Sequence, residues 1–146
     1  MVGQRPEQAQ LAELVGVARF ETNADQAGEC DLAIEAAGVP EAVVTAVTAV
    51  RRGGTVVLLG LPPTGRTLEL PADLLVNNDL TIAASFGYTS AAWGRMVALV
   101  NEGRVQPGRI VTHRFPLEDH AQAFAALAAI EGTRGKILLE VGGEGS

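Results

Sequence analysis

Hydrophobic positions along the chain follow two periods. Asp31-Leu32-Ala33-Ile34-Glu35-Ala36 and Thr55-Val56-Val57-Leu58-Leu59 are short, largely apolar runs, closed by Ala37-Gly38 and by Gly60. Runs of that length bounded by turn residues predict strands. Between them Val43, Val44, Val47 and Val50 fall on one helical stripe, which predicts a helix over 40–51. Pro40 suits its first turn, and Gly53-Gly54 is expected to stop it. Two strands joined by such a crossover must run parallel. The unbroken apolar run over 55–59 suits a strand covered on both faces.

The same reading predicts a helix over 6–15, carrying Leu11, Leu14 and Val15 and stopped by Gly16. A brief strand over 17–21 and a polar linker follow. Beyond the loop at 61–65 it predicts a short helix over 71–76 and a strand over 80–84 that runs into Ser85-Phe86-Gly87. Trp93, Met96, Val97 and Val100 mark an amphipathic helix over 90–101. A strand over 110–115, a helix over 118–129 with acids in its first turn and a strand over 136–141 complete the pattern. The tail, 142–146, is expected to be disordered. Val2 to Pro6 reads as the end of a strand entering a helix. A strand of ordinary length takes about five residues, so the chain is expected to open inside a domain.

A length of 146 residues allows one domain or parts of two. With 47% hydrophobic residues and a mean hydropathy of +0.21, a packed core is expected rather than disorder. No apolar run reaches the roughly 18 residues of a membrane span, and no signal core opens the chain, so a cytoplasmic location is expected. Cys30 is the single cysteine. That excludes an intramolecular disulfide and a cysteine-built zinc site within the chain. A net charge of −6 argues against general nucleic-acid binding.

Few residues suggest chemistry. His113 and His120 have no evident partners for catalysis or metal binding, so structural or surface roles are expected. Cys30 is expected to be a small, partly buried side chain, and Trp93 and Met96 to serve the core or a subunit contact. Asp31 and Glu35 flank a strand, and Glu35 could hydrogen-bond a ribose. A G-x-G-x-x-G phosphate-binding turn does not occur in the chain.

Five segments in order, CDLAIEAAGVPEAV, RRGGTVVLLGLPP, LTIAASFGYTSAAW, IVTHRFPLEDHAQAF and RGKILLEV, are each weak alone and specific together. The chain resembles the C-terminal part of the medium-chain (zinc-type) alcohol dehydrogenase family. The resemblance implies an α/β fold: a partial Rossmann domain with a doubly wound, mostly parallel sheet over 1–109. The segment 110–146 would return to the catalytic domain. It also implies that the N-terminal catalytic domain and the first Rossmann strand have no counterpart in this chain.

In such sheets ligands bind outside the carboxyl ends of the strands. The resemblance therefore marks Ala36, Ala37, Gly38, Leu59, Gly60, Leu61, Ser85 and Phe86 as the wall of a nicotinamide and its ribose. Turn chemistry alone is the plainer reading of these positions. At the opening, Gly3 falls where NAD-using relatives carry an aspartate. Gly3-Gln4-Arg5 then resembles the pattern of NADP-using members, with the Arg5 fork offered to a 2′-phosphate. The plainer reading of Arg5 is an exposed residue before a helix-starting proline.

The implied function is the cofactor-binding portion of an NADP(H)-dependent alcohol or carbonyl oxidoreductase, with NAD possible, and inactive in isolation. Zinc, if the parent protein uses it, would not be bound by this chain. No residue is marked as catalytic. The alternatives are a portion of a zinc-free quinone or enoyl reductase, and a non-catalytic nucleotide-binding or dimerisation module. The strand Leu80–Ala84 is expected at a sheet edge, where it would support a homo-oligomer. Neither a nucleic acid nor a membrane is expected as a partner.

Overall fold

The computed structural model describes residues 1–129 and 132–142. They divide into two compact units, one of residues 24–93 and one of 1–23 with 94–146.

The 24–93 unit is built on a parallel three-stranded sheet in the order β1-β2-β3. Its strands are β1 (Cys30–Glu35), β2 (Val50–Leu58) and β3 (Thr81–Ala84). β1 and β2 are joined by the crossover helix α2 (Pro40–Ala49). The expected strand–helix–strand order and its parallel direction are both present, with Ile34 opposite Val57 and Val57 opposite Ala83. The core forms where α2 lies on the sheet. Val47 is 1% exposed and Val56 fully buried, with Ala46 and Val50 beside them. A short helix, α3 (Ala72–Asn77), leads into β3.

One boundary differs from expectation. The α2 helix ends at Ala49, and Gly53-Gly54 lies inside β2 instead of stopping a helix. Val50 is buried and already extended, at φ −84° and ψ 139°. The pairing then jumps from Cys30 opposite Val50 to Leu32 opposite Thr55, so the segment between is a bulge. Gly53 supplies the left-handed turn of that bulge at φ +73°. A Cβ on Gly54 would lie 2.7 Å from the Arg51 carbonyl oxygen.

In the other unit, α1 spans Gln8–Leu14, with Pro6 and Glu7 forming a turn ahead of it. The expected strand over 17–21 is reduced to one parallel bridge between Val2 and Glu21. Glu21 N–H donates to the Met1 carbonyl and Gly3 N–H to the Glu21 carbonyl, each at 3.0 Å. Helix α4 (Ser90–Asn101), whose first turn belongs to the 24–93 unit and whose remainder belongs to the other, has the expected bounds, its first turn capped by Thr89 Oγ1, which accepts the Ala92 N–H at 3.2 Å.

A second, two-stranded parallel sheet pairs β4 (Val111–Pro116) with β5 (Lys136–Glu140), and α5 (His120–Ala128) packs on both. The α5 helix starts two residues later than its acids suggested, because Leu117–Asp119 form a tighter 3₁₀ turn. Of the tail 142–146, expected to be disordered, residues 143–146 lie outside the described residues. Among the described residues no helix is long and apolar enough to cross a membrane.

Candidate functional site

Glu35 ends β1 and is only 4% exposed. Its Oε1 accepts two backbone N–H groups, from Ala37 at 2.6 Å and from Gly38 at 2.7 Å. Its carbonyl oxygen accepts two more from the neighbouring strand's end, Leu59 at 2.8 Å and Gly60 at 3.0 Å. One residue therefore ties the loop after β1 to the loop after β2. A charged acceptor satisfying several N–H groups is a strong arrangement.

The two loops meet backbone to backbone. Gly38 sits at φ +72°, and a Cβ there would lie 2.8 Å from the Leu61 carbonyl oxygen. A Cβ on Gly60 would collide with the Gly38 nitrogen and lie 2.5 Å from Glu35 Oε2. Only glycine satisfies both positions. Beside them lies a cavity of about 130 Å³, lined by Glu35, Gly38, Gly60, the start of α2 at Val39-Pro40, and Arg66. The Ser85 N–H donates to the Leu58 carbonyl at 3.1 Å, carrying the ladder one step past β3. Phe86 follows at 89% exposure.

The structure thus brings Ala36, Ala37 and Gly38 together with Leu59, Gly60 and Leu61, all at the carboxyl side of the parallel sheet. Ala36, Ala37, Leu59 and Leu61 are exposed while Gly38 is buried. Glu35, which organises the group, was read from the sequence only as a possible ribose contact. The available signal was an acidic residue closing an apolar strand three residues before Gly38.

The Gly3-Gln4-Arg5 corner belongs to the other unit. A Cβ on Gly3 would lie 2.6 Å from Gln8 Oε1 and 2.8 Å from the Phe20 ring. Gln4 is exposed. The Arg5 backbone N–H donates to Gln8 Oε1 at 3.1 Å. The guanidinium Nη1 of Arg5 is buried with no hydrogen-bond partner among the described residues.

The remaining candidates stay apart. His113 Nδ1 lies 2.9 Å from Thr112 Oγ1, and His120 Nδ1 lies 3.2 Å from the Leu117 carbonyl oxygen. Cys30 Sγ donates to the Ala49 carbonyl at 3.4 Å and is half-buried, as its sequence position suggested. Trp93 is 54% exposed and stacks on Tyr88 instead of joining a core. Among the described residues no group of three or more His, Cys, Asp or Glu could hold a metal ion.

In a parallel α/β sheet the loops at the carboxyl ends of the strands are where ligands bind. Residues 3–102 match the model of the zinc-binding dehydrogenases, and the chain belongs to that family. It is 33% identical over 111 residues to an L-threonine 3-dehydrogenase of Burkholderia cenocepacia, which covers 75% of this chain and 31% of that enzyme. A Sinorhizobium meliloti 1021 protein described as a zinc-binding dehydrogenase, bound to NADP, superposes with a TM-score of 0.81 at 23% identity. That match covers 94% of this chain and 43% of the other. A short chain alcohol dehydrogenase of E. coli CFT073, complexed with NADH, gives 0.79 at 19% identity, covering 93% and 42%. The chain therefore spans about a third of the curated relative it matches.

Proposed function

We propose that this chain supplies the cofactor-binding part of a nicotinamide-dependent alcohol or carbonyl oxidoreductase, and that the preferred cofactor is NADP(H). The observation that carries the reading is the contact of Gly38 with Leu61 and Gly60 at the ends of two parallel strands. Glycine at both positions lets the two loops close on each other at the carboxyl end of the sheet, where such folds bind ligands. Ala36, Ala37, Leu59, Ser85 and Phe86 form the rest of the wall. When bound, the cofactor supplies hydride chemistry. The chain's own loops bind and orient the ring, and Glu35 holds the loops in place.

For the Gly3–Arg5 corner, the reading is an adenosine 2′-phosphate site. Gly3 brings no negative charge, and the buried, unpartnered Nη1 of Arg5 is a donor in want of an acceptor. Within this proposal residues 1–109 serve the dinucleotide and 110–146 return to a catalytic domain. The separate pairing of β4 with β5 supports that division. Catalysis would need the remainder of a longer protein. Zinc, where used, would be held by that remainder. A cytoplasmic location and a homo-oligomer through the β3 edge belong to the same proposal.

The experiment is a titration of the purified chain with NADPH and with NADH, followed by nicotinamide fluorescence. Saturable binding that favours NADPH supports the reading. Absence of binding to either form overturns it.

A further inference from the structure

The Glu35 carboxylate presents a second feature that the loop contacts leave unused. Oε1 carries both N–H bonds, while Oε2 is buried without a hydrogen-bond partner among the described residues. Oε2 faces the α-carbon of Gly60, one of the two glycines where the loops meet. Arg66 lines the adjoining cavity but forms no ion pair with Glu35 among the described residues. A carboxylate placed directly beneath two backbone loops, sharing its cavity with Arg66 but not ion-paired to it, projects a negative potential through them. Glu35 is itself only 4% exposed, so solvent screens that potential less than it would on the surface.

We propose that Glu35 is a specificity-determining and positioning residue that favours the oxidised form of the nicotinamide ring over the reduced form. The inference rests on the reading that these loops hold the ring. The oxidised pyridinium is cationic and the reduced dihydropyridine is neutral. A buried negative charge under the loops therefore strengthens binding of the first and leaves the second almost untouched. A carboxylate that only shaped the loops would change both affinities together. That contrast separates an electrostatic role from a structural one.

The test compares dissociation constants on the purified chain, using NADPH or NADH, whichever binds, and the matching oxidised form measured by competition. Glu35→Gln retains an amide oxygen to accept the Ala37 and Gly38 N–H groups and removes the charge. The expected result is that the oxidised-to-reduced ratio of dissociation constants rises about fivefold, the size of a through-space interaction between unit charges several ångströms apart. A ratio that stays within a factor of 1.5 or so while both affinities move in step overturns the inference and leaves the cofactor reading intact. Failure of the unaltered chain to bind either form overturns the cofactor reading itself, and the inference with it. If Glu35→Gln does not fold, the ligand is altered instead, using a dinucleotide whose pyridinium is replaced by an uncharged benzamide ring. Its binding to the unaltered chain should be about fivefold weaker than that of the oxidised cofactor. Equal affinity overturns the inference.

Discussion

The Oε1 atom of Glu35 accepts the Gly38 N–H at 2.7 Å, and Gly38 holds φ +72° to present it. The hydrogen bond and the left-handed backbone depend on each other. Gly38→Ala should therefore carry two penalties. A left-handed alanine costs about 1–2 kcal/mol, and its Cβ would press on the Leu61 backbone, an overpacking worth roughly 1–3 kcal/mol. Urea unfolding should show a loss of about 2–5 kcal/mol. A loss below about 0.5 kcal/mol, in the range of neutral surface substitutions, would mean that the two loops are not packed in this way.

Arg5 decides the cofactor preference in the proposed function. Its buried Nη1 lacks a partner among the described residues, so a phosphate that reached it would gain a charge-assisted hydrogen bond without displacing an existing one. Such bonds contribute about 1.5–3 kcal/mol. Arg5→Ala should weaken NADPH binding by about tenfold or more and leave NADH binding within twofold, measured by fluorescence titration. Equal weakening of both cofactors would return Arg5 to the plainer role of a half-buried residue ahead of a helix-starting proline.

The sheet-facing side of α2 sets the stability of the 24–93 unit. Val56 is fully buried against a core that includes Val47. Val56→Ala removes the equivalent of two methylenes, each worth about 0.8 kcal/mol, and leaves a small cavity. The expected loss is about 2 kcal/mol by chemical denaturation. Val76→Ala is the control, because Val76 is 74% exposed, and its change should stay within about 0.5 kcal/mol.

Elements with a strong period were legible in the sequence. The valine stripe of α2 and the apolar runs of β1 and β2 read correctly because local pattern and burial agree there. The bounds of α4 did so too, helped by Thr89 and Ser90 at its start. Gly53-Gly54 misled because a glycine pair after a helical stripe looks the same whether it stops a helix or bulges a strand. The difference lies in the pairing of Val50 with Cys30, which is a long-range contact. The bridge at Glu21 fell short of a strand for a similar reason, since only Met1, Val2 and Gly3 pair with it. At the site, the glycine positions could be read from turn chemistry. The importance of Glu35 could not, because its four N–H donors come from two loops that only the parallel register brings together.

The β3 edge carries the last prediction. β3 pairs with β2 on one side only, and all four of its residues, Thr81–Ala84, are exposed. Ile82, at 38% exposure, is a large apolar side chain on that edge. An open apolar edge is a template for pairing with a second chain, and a two-fold axis would let two copies satisfy each other's backbone. The chain should then sediment at about twice its 15.2 kDa mass at micromolar concentration. Ile82→Lys should shift it to the monomer, because a lysine on an edge strand opposes pairing. The variant should keep its far-ultraviolet circular dichroism, since Ile82 lies outside the buried cluster of the sheet. A wild-type chain that stays monomeric up to several hundred micromolar, or a dimer that Ile82→Lys leaves intact, would remove β3 as the self-association surface.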